Sequence, residues 1–456
     1  MAPIFSLAIV AMAVFLLVRK YYPQAVLLVL GITMWVMAWF FSSHANQEST
    51  PLFQGLVDFL GGSLGQIMGD LGLMIMVIGG FVTYMDSIGA SNQLVELALK
   101  PLRPFRRNPY LLASLTLPIG QCLFMAIPSA AGFALLWMSA VFPILVKLGV
   151  SRLTAASVVS ATTAFGVGPA CATTASAMKV LDLEAVPYFV DIQLPVFVPL
   201  SLLMSLVFYF VHQKADQKLG LESFNEEKDV QQSPAIEPRY GSPPSYYALF
   251  PLLPFGLLLG FSPWINPWAA GLKVDTTQVM IVSFLVVWLV RFLTGTDIQK
   301  SFGEWHIFWK GMSEIFVSVV SLVIAADLFA KGLIALGFVD FLLQTGSGLG
   351  MGGLGLGILL TLMIFGSAVL MGSGNAAFFA FGPLVPTIAA AIAVTGPYLM
   401  LPMQLAASLG RTISPVSGVL VAVSGQAGLS PVDLAYRNLW PVLTALAALL
   451  VIHFFI

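Results

Sequence analysis

The sequence predicts an all-α polytopic membrane protein made of two inverted repeats, and three observations support this prediction. Of its 456 residues, 58% are hydrophobic and only 9% are charged, whereas soluble domains carry about 25% charged residues. Apolar runs of roughly 18 to 25 residues recur along the chain, each long enough to cross the hydrocarbon core of a bilayer. Features of the first half also return in the same order in the second half, which is typical of an internal repeat.

Composition excludes several other classes of protein. The net charge of −1 gives no indication of nucleic-acid binding. Cys122 and Cys171 lie in apolar or small-residue segments, which argues against a disulfide framework, and no metal-binding spacing is present. The first apolar run is followed, not preceded, by Arg19 and Lys20 and has no small-residue cleavage motif, so it is interpreted as a retained transmembrane helix. No cofactor is expected.

The first repeat is predicted to cover residues 1–211. Its elements are helices at 4–18 and 24–41, an interfacial helix at 53–64, a helix at 68–90, a re-entrant hairpin at 109–148, a broken helix at 152–181 and a helix at 187–211. Each arm of the hairpin is marginal as a span, so two full crossings are the alternative. A polar stretch at 212–245 is interpreted as a solvated linker.

The second repeat is predicted to cover residues 246–456. Its elements are helices at 246–261 and 278–295, an amphipathic piece at 300–312, a helix at 314–336, a glycine-rich run at 346–357, a re-entrant hairpin at 354–394, a broken helix at 398–427 and a helix at 432–455. Three pairs of residues are each separated by 246 positions, namely Pro169 and Pro415, Leu183 and Leu429, and Pro195 and Pro441. Their common order favours an internal repeat.

Basic residues predict the orientation of the chain. If each half has five crossings and one hairpin, the second half is inverted relative to the first. Both termini then lie outside the cytoplasm, and the linker lies inside. Of the 20 basic residues, only Lys179 and Lys273 fall on the outer side, and Lys331 and Arg411 fall within the membrane. Inverted halves with broken helices are the architecture of secondary transporters.

The breaks are the expected binding site. Unpaired backbone groups at a break must line a cavity or be packed in protein, and helix N-termini attract anions. Close packing of small residues is the structural alternative, but four breaks at symmetric positions favour a site. The candidate substrate-binding residues are Ser129, Ala130, Thr162, Thr163, Ser373, Gly374, Asn375, Ser408, Arg411, Thr412, Ser414 and Pro415. Candidates for ion coupling are Gly168, Pro169 and Asp327, with Na⁺ or H⁺ as the ion.

Arg411 is the most informative of these residues, because an arginine within the membrane needs a wet cavity, a partner charge or an anion. Its guanidinium can hold a carboxylate through two parallel hydrogen bonds. The alternative is a structural ion pair with Asp86, Asp327 or Glu314. Asp327 has Lys331 four residues later on the same helical face, a spacing that suits a structural pair, with proton coupling as its alternative role. Arg411 is therefore expected to bind substrate.

Several stretches resemble the anaerobic C4-dicarboxylate transporter family of the DcuC type. The similar stretches are SGNAAFFAF (373–381), LAASLGRTISPVSGVLVAVSG (405–425), LGLMIMVIGGFVTYMDSIGA (71–90), MAIPSAAGFALLW (125–137) and, more loosely, ATTAFGVGPACATT (161–174). The resemblance covers nearly the whole chain. It implies the elevator fold of the ion-transporter superfamily, with a scaffold that forms a homodimer in the lipid bilayer. It further implies transport of succinate, fumarate, malate or aspartate across the bacterial inner membrane, including succinate efflux in fermentation.

Three other functions stay open on the sequence. An amino-acid or short monocarboxylate carrier of the same superfamily would use the same breaks. An anion channel is a further alternative. A membrane enzyme is disfavoured, because no nucleophile–base pair or metal set is visible in the sequence.

Overall fold

The computed structural model describes residues 2–43, 51–219, 243–262, 266, 275–294, 298–348 and 352–455. These residues contain no β-strand, and ten of their helices are long and apolar enough to cross a bilayer. The predicted class, an all-α polytopic membrane protein, is therefore confirmed. Lys273 and residues 349–351 of the glycine-rich run lie outside the described residues.

The helices of the two halves follow a similar order. The first half contains α1 (Ala2–Val18), α2 (Pro23–Ser43), α3 (Leu52–Ser87), α4 (Ala90–Leu99), α5 (Pro109–Ala126), α6 (Ala130–Lys147), α7 (Arg152–Ala161), α8 (Ala172–Leu181) and α9 (Leu194–Leu219). The second half contains α10 (Leu253–Gly260), α11 (Thr276–Leu293), α12 (Ile298–Ala335), α13 (Phe338–Gly348), α14 (Gly353–Met371), α15 (Gly374–Ala391), α16 (Gly396–Thr412), α17 (Gly418–Ala427) and α18 (Pro431–Phe455).

Local sequence explains where several helices begin. The Asn108 side chain accepts a hydrogen bond from the backbone N–H of Leu111 (3.2 Å), and Pro109 follows it at the first helical position. Ser151 caps α7 by accepting from the backbone N–H of Thr154 (3.1 Å). Short polar side chains at N-caps satisfy donors that the first helical turn leaves free. The helices next to the breaks are thus defined by their own sequence.

The two longest helices differ from the sequence prediction. An interfacial helix at 53–64 and a separate helix at 68–90 were expected, but α3 is continuous over 36 residues. In the second half, α12 joins the expected pieces 300–312 and 314–336 into one helix of 38 residues. Neither helix contains a proline, and each passes through a π-helical segment, Ile67–Gly72 or Phe316–Val320. An extra residue in a π-helical turn shifts the helical register without ending the helix.

The long helices cross one another at glycines. A Cβ at Gly31 of α2 would lie 2.7 Å from the backbone nitrogen of Phe329 in α12. Similarly, a Cβ at Gly311 of α12 would lie 2.6 Å from the Thr83 side chain of α3. Small residues allow such close helix packing, which is common in membrane proteins. Helices α2, α3 and α12 thus form a closely packed group beside the hairpins and broken helices.

All four predicted breaks are present. The chain leaves helical geometry at 127–129 between α5 and α6, at 162–171 between α7 and α8, at 372–373 between α14 and α15, and at 413–417 between α16 and α17. The arms of both hairpins have 18 or 19 residues and are among the ten apolar helices. Their length therefore allows either a re-entrant hairpin or two crossings.

The linker was predicted to begin at residue 212, which is eight residues too early. Helix α9 continues to Leu219, so residues 212–219 are helical, while 220–242 lie outside the described residues. The helix continues because Asp216 is fully buried, where it pairs with Arg437 of α18 (2.7 Å). Asp216 also accepts hydrogen bonds from the Thr154 hydroxyl (2.8 Å) and the Tyr110 hydroxyl (3.0 Å). A buried carboxylate needs such partners, and these tie α9 to α5, α7 and α18.

Candidate functional site

Each hairpin tip packs on the broken helix of its own half. Gly168 in the first break has φ +97°, and a Cβ there would lie 3.0 Å from Cβ of Met125, next to the first hairpin tip. Gly372 at the second hairpin tip has φ +71°, and a Cβ there would lie 2.8 Å from the backbone carbonyl of Val416 in the second break. Glycine is suited to both positions, since it adopts positive φ and allows close backbone approach.

The first break also lies along one face of α16 in the second half. Gln404, Ser408 and Arg411 are spaced four and three residues apart, so they share one helical face. Ser408 Oγ accepts a hydrogen bond from the Gly166 N–H (3.2 Å). Arg411 Nη2 donates to the Thr163 carbonyl (2.6 Å). The two predicted broken helices therefore meet directly, and Thr163, Ser408 and Arg411 lie together.

Gln404 is the centre of a buried polar network at this contact. Its Nε2 donates to the Gly166 carbonyl (2.8 Å) and to Thr174 Oγ1 (2.9 Å). Its Oε1 accepts from the Tyr188 hydroxyl (2.9 Å) and from Gln193 Nε2 (3.2 Å). Gln193 in turn accepts from the Gly168 N–H (3.0 Å). The backbone of the first break is therefore held by side chains instead of by helical hydrogen bonds.

Arg411 has no acidic partner in the part of the chain that the structure describes. Within the described residues, no carboxylate oxygen lies within 4.0 Å of its guanidinium. The sequence named three candidate partners, and each is bonded elsewhere: Asp86 accepts from the Ser91 hydroxyl, Asp327 pairs with Lys331 (2.8 Å) and Glu314 pairs with Lys310 (3.8 Å). Arg411 Nε is buried and has no hydrogen-bond partner. The guanidinium is thus held at one nitrogen and keeps an unused donor at another.

Further polar atoms without partners lie in the second break. The hydroxyls of Ser414 and Ser417 are fully buried and make no hydrogen bond within the described chain. Asn438 of α18 donates to Ser160 Oγ (2.9 Å) and to the Thr412 carbonyl (3.3 Å), while its own Oδ1 has no partner. Buried polar groups without partners are uncommon in folded proteins. The second break can therefore offer hydrogen bonds to a ligand.

The other predicted residues lie at or near the breaks. Ser373 caps α15 by accepting from the Ala376 N–H (3.2 Å). Gly374 lies against α16, where a Cβ would be 2.6 Å from the Ala407 carbonyl. The remaining candidates divide by exposure: Ser129 is exposed, Ala130, Asn375 and Pro415 are half-buried, and Thr162, Thr412 and Pro169 are buried.

Asp327 is the one predicted site residue that does not lie at or near a break. It lies on α12, where Lys331 bonds both Asp327 and the Ser63 hydroxyl of α3 (2.9 Å). The predicted structural pair is present, and it joins two long helices. This contact lies apart from the interactions between the broken helices.

A cleft with about 350 Å³ of empty space, part of it open to solvent, lies beside the first break, but its chemistry does not suit an anion. Its lining is apolar and includes Phe81, Met125, Pro169, Phe255 and Met280. The lining contains no charged side chain and does not include Arg411. The polar contact between the broken helices is therefore the better candidate site.

Four residues of this region were missed by sequence reasoning: Gln404, Gln193, Tyr188 and Asn438. Gln404 lies seven residues before Arg411, a spacing that places both on one helical face. Uncharged amides inside apolar helices were the available signal, because such a side chain needs hydrogen-bond partners when buried. The sequence does not indicate which partners these amides find.

The fold and this site define a class of protein: a multi-pass membrane transporter with polar residues gathered at helix breaks. A model of the family described as "C4-dicarboxylate anaerobic carrier" matches residues 1–456. The chain therefore belongs to the family of anaerobic C4-dicarboxylate carriers. This family consists of transporters and not of enzymes, and it makes the chain a multi-pass protein of the bacterial inner membrane.

Two similar proteins support this family assignment. The chain is 32% identical over 383 residues to the anaerobic C4-dicarboxylate transporter DcuC of Escherichia coli K12, covering 84% of this chain and 80% of that one. It is 31% identical over 442 residues to a probable anaerobic C4-dicarboxylate transporter DcuC of Vibrio cholerae, covering 96% and 94%.

A solved structure shares the fold. Neisseria gonorrhoeae MtrF, described as illuminating a class of antimetabolite efflux pumps, matches with a TM-score of 0.62. The alignment covers 94% of this chain and 95% of MtrF at 11% sequence identity. At this identity the similarity concerns the fold alone.

Proposed function

We propose that this protein is a secondary active transporter of C4-dicarboxylates such as succinate, fumarate, malate or aspartate. The observation that carries the proposal is Arg411, a cation at the contact of two broken helices. Among the described residues it has no carboxylate partner, and its Nε–H makes no hydrogen bond. Removing a guanidinium from water without an anion is unfavourable. A substrate carboxylate supplies the missing partner through charge-assisted hydrogen bonds.

In this proposal the two carboxylates of the substrate are bound differently. One carboxylate contacts the Arg411 guanidinium through its free donors. The other is bound by hydroxyl and amide groups of the second hairpin and second break, for which Ser373, Asn375 and Ser414 are the best candidates. The 246-residue spacing of the two halves pairs Arg411 with Phe165, which carries no charge and is fully buried. The dianion therefore lies nearer the second half.

We also propose an inverted-repeat architecture with elevator motion. The similar order of helices in the two halves and the equivalent breaks support the repeat. Both termini then lie outside the cytoplasm, and the C-terminal end of α9 faces inward. This topology assigns Lys179 and Asp70 to the same outer side of the membrane, and the two side chains form an ion pair (2.7 Å). The likeness to MtrF supports the fold, while a homodimer through the long helices is our proposal.

Coupling to Na⁺ or H⁺, or exchange of one dicarboxylate for another, would drive the transport. Backbone carbonyls at the breaks suit Na⁺, and Gly168 and Pro169 lie in the first break. The described residues contain no cluster of three histidine, cysteine or acidic side chains that could hold a metal ion. Uptake measured with and without Na⁺ and across pH separates the two ions. Succinate efflux is the proposed physiological direction.

The deciding experiment is uptake and counterflow of labelled succinate by proteoliposomes. Arg411→Ala is expected to abolish uptake while the protein remains folded. Arg152→Ala is the matched control, because Arg152 Nη2 also donates to a backbone carbonyl across the halves, that of Ala427 (2.7 Å). Arg152→Ala should retain uptake. Undiminished uptake by Arg411→Ala would refute the assignment.

A carrier of monocarboxylates or amino acids is the alternative that one observation favours, since Arg411 offers a single cation. Competition by aspartate, arginine and butyrate distinguishes the two. Inhibition by dicarboxylates alone supports the proposal, whereas stronger inhibition by butyrate or arginine favours the alternative. Single-channel currents without counterflow would instead indicate a channel.

A further inference from the structure

Gln404 is a fully buried side chain whose hydrogen-bonding groups are all used. A primary amide has two N–H donors and one oxygen that accepts two bonds. Here the donors reach the Gly166 carbonyl and Thr174, and the oxygen accepts from Tyr188 and Gln193. Rotating the amide by half a turn would bring its oxygen against the Gly166 carbonyl. The network therefore fixes the orientation of the side chain.

The partners of Gln404 belong to the part of the chain that most needs support. Backbone groups at a helix break have no helical partners and are costly to bury unpaired. Gln404 and Ser408 bind both polar groups of the Gly166 peptide, its carbonyl and its N–H. The Thr163 carbonyl, three residues before Gly166, accepts a hydrogen bond from Arg411 Nη2. The same short segment is thus bound by α16 at both of its ends.

We propose that Gln404 is a positioning residue for the anion site. It holds the first break in place along α16, so that the Thr163 carbonyl binds Arg411 at Nη2 and leaves Nε free for the substrate. Gln404 does not contact the substrate in this proposal. The inference rests on the proposed function, because it takes the Arg411 guanidinium as the group that binds a substrate carboxylate.

A matched pair of variants tests the proposal. Gln404→Leu removes the network. Gln121→Leu removes another fully buried glutamine, whose Oε1 accepts from Ser201 and whose Nε2 donates to the Ala161 carbonyl (3.4 Å), within the first half only. The measurements are KM and Vmax per folded transporter for succinate uptake by proteoliposomes, together with the Tm of the purified protein.

The expected result is a separation of KM from stability. Displacing a binding group by about 1 Å can cost up to about a hundredfold, so Gln404→Leu should raise KM by about tenfold or more with Vmax nearly unchanged. Gln121→Leu should lower Tm and leave KM within about twofold. If both variants lower Tm and neither changes KM, Gln404 is structural and the proposal is wrong.

Gln404→Glu keeps the proposal testable should the leucine variant misfold. An ionised carboxylate cannot donate to the Gly166 carbonyl, whereas a protonated carboxylic acid can. The ratio of its KM to that of the wild type should therefore fall as the pH is lowered. A ratio that does not vary with pH would overturn the proposal. If the wild-type protein itself takes up no succinate, the proposed function fails first.

Discussion

The two broken helices are alike in sequence position and opposite in how their polar groups are used. In the first break and the first turn of α8, every threonine hydroxyl from 162 to 174 has a hydrogen-bond partner. Its peptide groups are bound by Gln404, Ser408 and Gln193. At the second break, Arg411 Nε in the last turn of α16 and the hydroxyls of Ser414 and Ser417 have no hydrogen-bond partner in the described chain.

This difference indicates that the two halves of the chain have different roles at the candidate site. A break whose polar groups are all hydrogen-bonded to the protein can keep a fixed shape without a ligand. A break with buried, unsatisfied groups stays less favourable until something binds there. In the proposed site, the first half would therefore contribute a fixed shape, and the second half would contribute the charge and the free hydrogen-bond donors.

The largest difference between the two halves is expected at Gly168 and Gly372, where each hairpin tip contacts the break of its own half. Alanine at either position must adopt positive φ, which costs about 1–2 kcal/mol. At Gly372 the new methyl group would also meet the Val416 backbone, while at Gly168 it would meet the Met125 side chain, which can move. Gly372→Ala should therefore abolish uptake and lower Tm, and Gly168→Ala should retain part of the uptake.

Uptake and Tm of the two variants, measured side by side, check this prediction. Uptake by wild-type protein in the same vesicles is the reference. Equal losses, or a greater loss in Gly168→Ala, would mean that the second hairpin tip is not the more closely packed of the two.

A smaller effect is expected at Ser414, whose hydroxyl has no hydrogen-bond partner among the described residues. Ser414→Ala should leave Tm unchanged and raise KM by about two- to tenfold, since one hydrogen bond contributes about 0.5–1.5 kcal/mol. Ser205→Ala is the control, because the Ser205 hydroxyl donates to the Ser114 carbonyl (2.7 Å) between α5 and α9. That variant should lower Tm and leave KM unchanged.

This prediction is tested by measuring the Tm and the KM for succinate uptake of both serine variants. The opposite pattern, with Ser414→Ala destabilised and its KM unchanged, would show that the Ser414 hydroxyl has a structural partner and does not receive substrate.

Much of this site could be predicted from the sequence, because irregular backbone within a membrane is conspicuous. Gly372 and Pro415 interrupt apolar runs, and each marks a true break. Arg411 is conspicuous for a similar reason, since charge inside the membrane is rare. The sequence left an ion pair of Arg411 with Asp86, Asp327 or Glu314 as the alternative. Among the described residues, each of these carboxylates bonds to another group and none pairs with Arg411.

What could not be predicted depends on contacts between distant parts of the chain. Asp216 was assigned to a linker because its surroundings are polar, and only Arg437 of the last helix explains its burial. Gln404 has an ordinary helical sequence around it, so nothing local indicates Gly166 as its partner. The continuity of α3 depends on a π-helical segment, which has no clear sequence signature.

The smallest effect is expected at a contact between the first broken helix and the long helices. Lys179 of α8 bonds Asp70 in the π-helical segment of α3 (2.7 Å) and lies 3.9 Å from Asp275, which caps α11. Elevator motion would break this contact once in each cycle. The Asp70 side chain is 62% exposed and that of Lys179 32%, and ion pairs in contact with solvent contribute about 0–1 kcal/mol, less at high salt.

Lys179→Gln should therefore change the maximal uptake rate by no more than about threefold, and only at low ionic strength. Lys310→Gln is the control, since Lys310 pairs with Glu314 inside a single helix (3.8 Å) and would not separate from it during transport. Uptake rates at low and high salt are compared for both variants. If the two variants behave alike, the contact does not change during transport, and the first broken helix does not move past α3 as the elevator proposal requires.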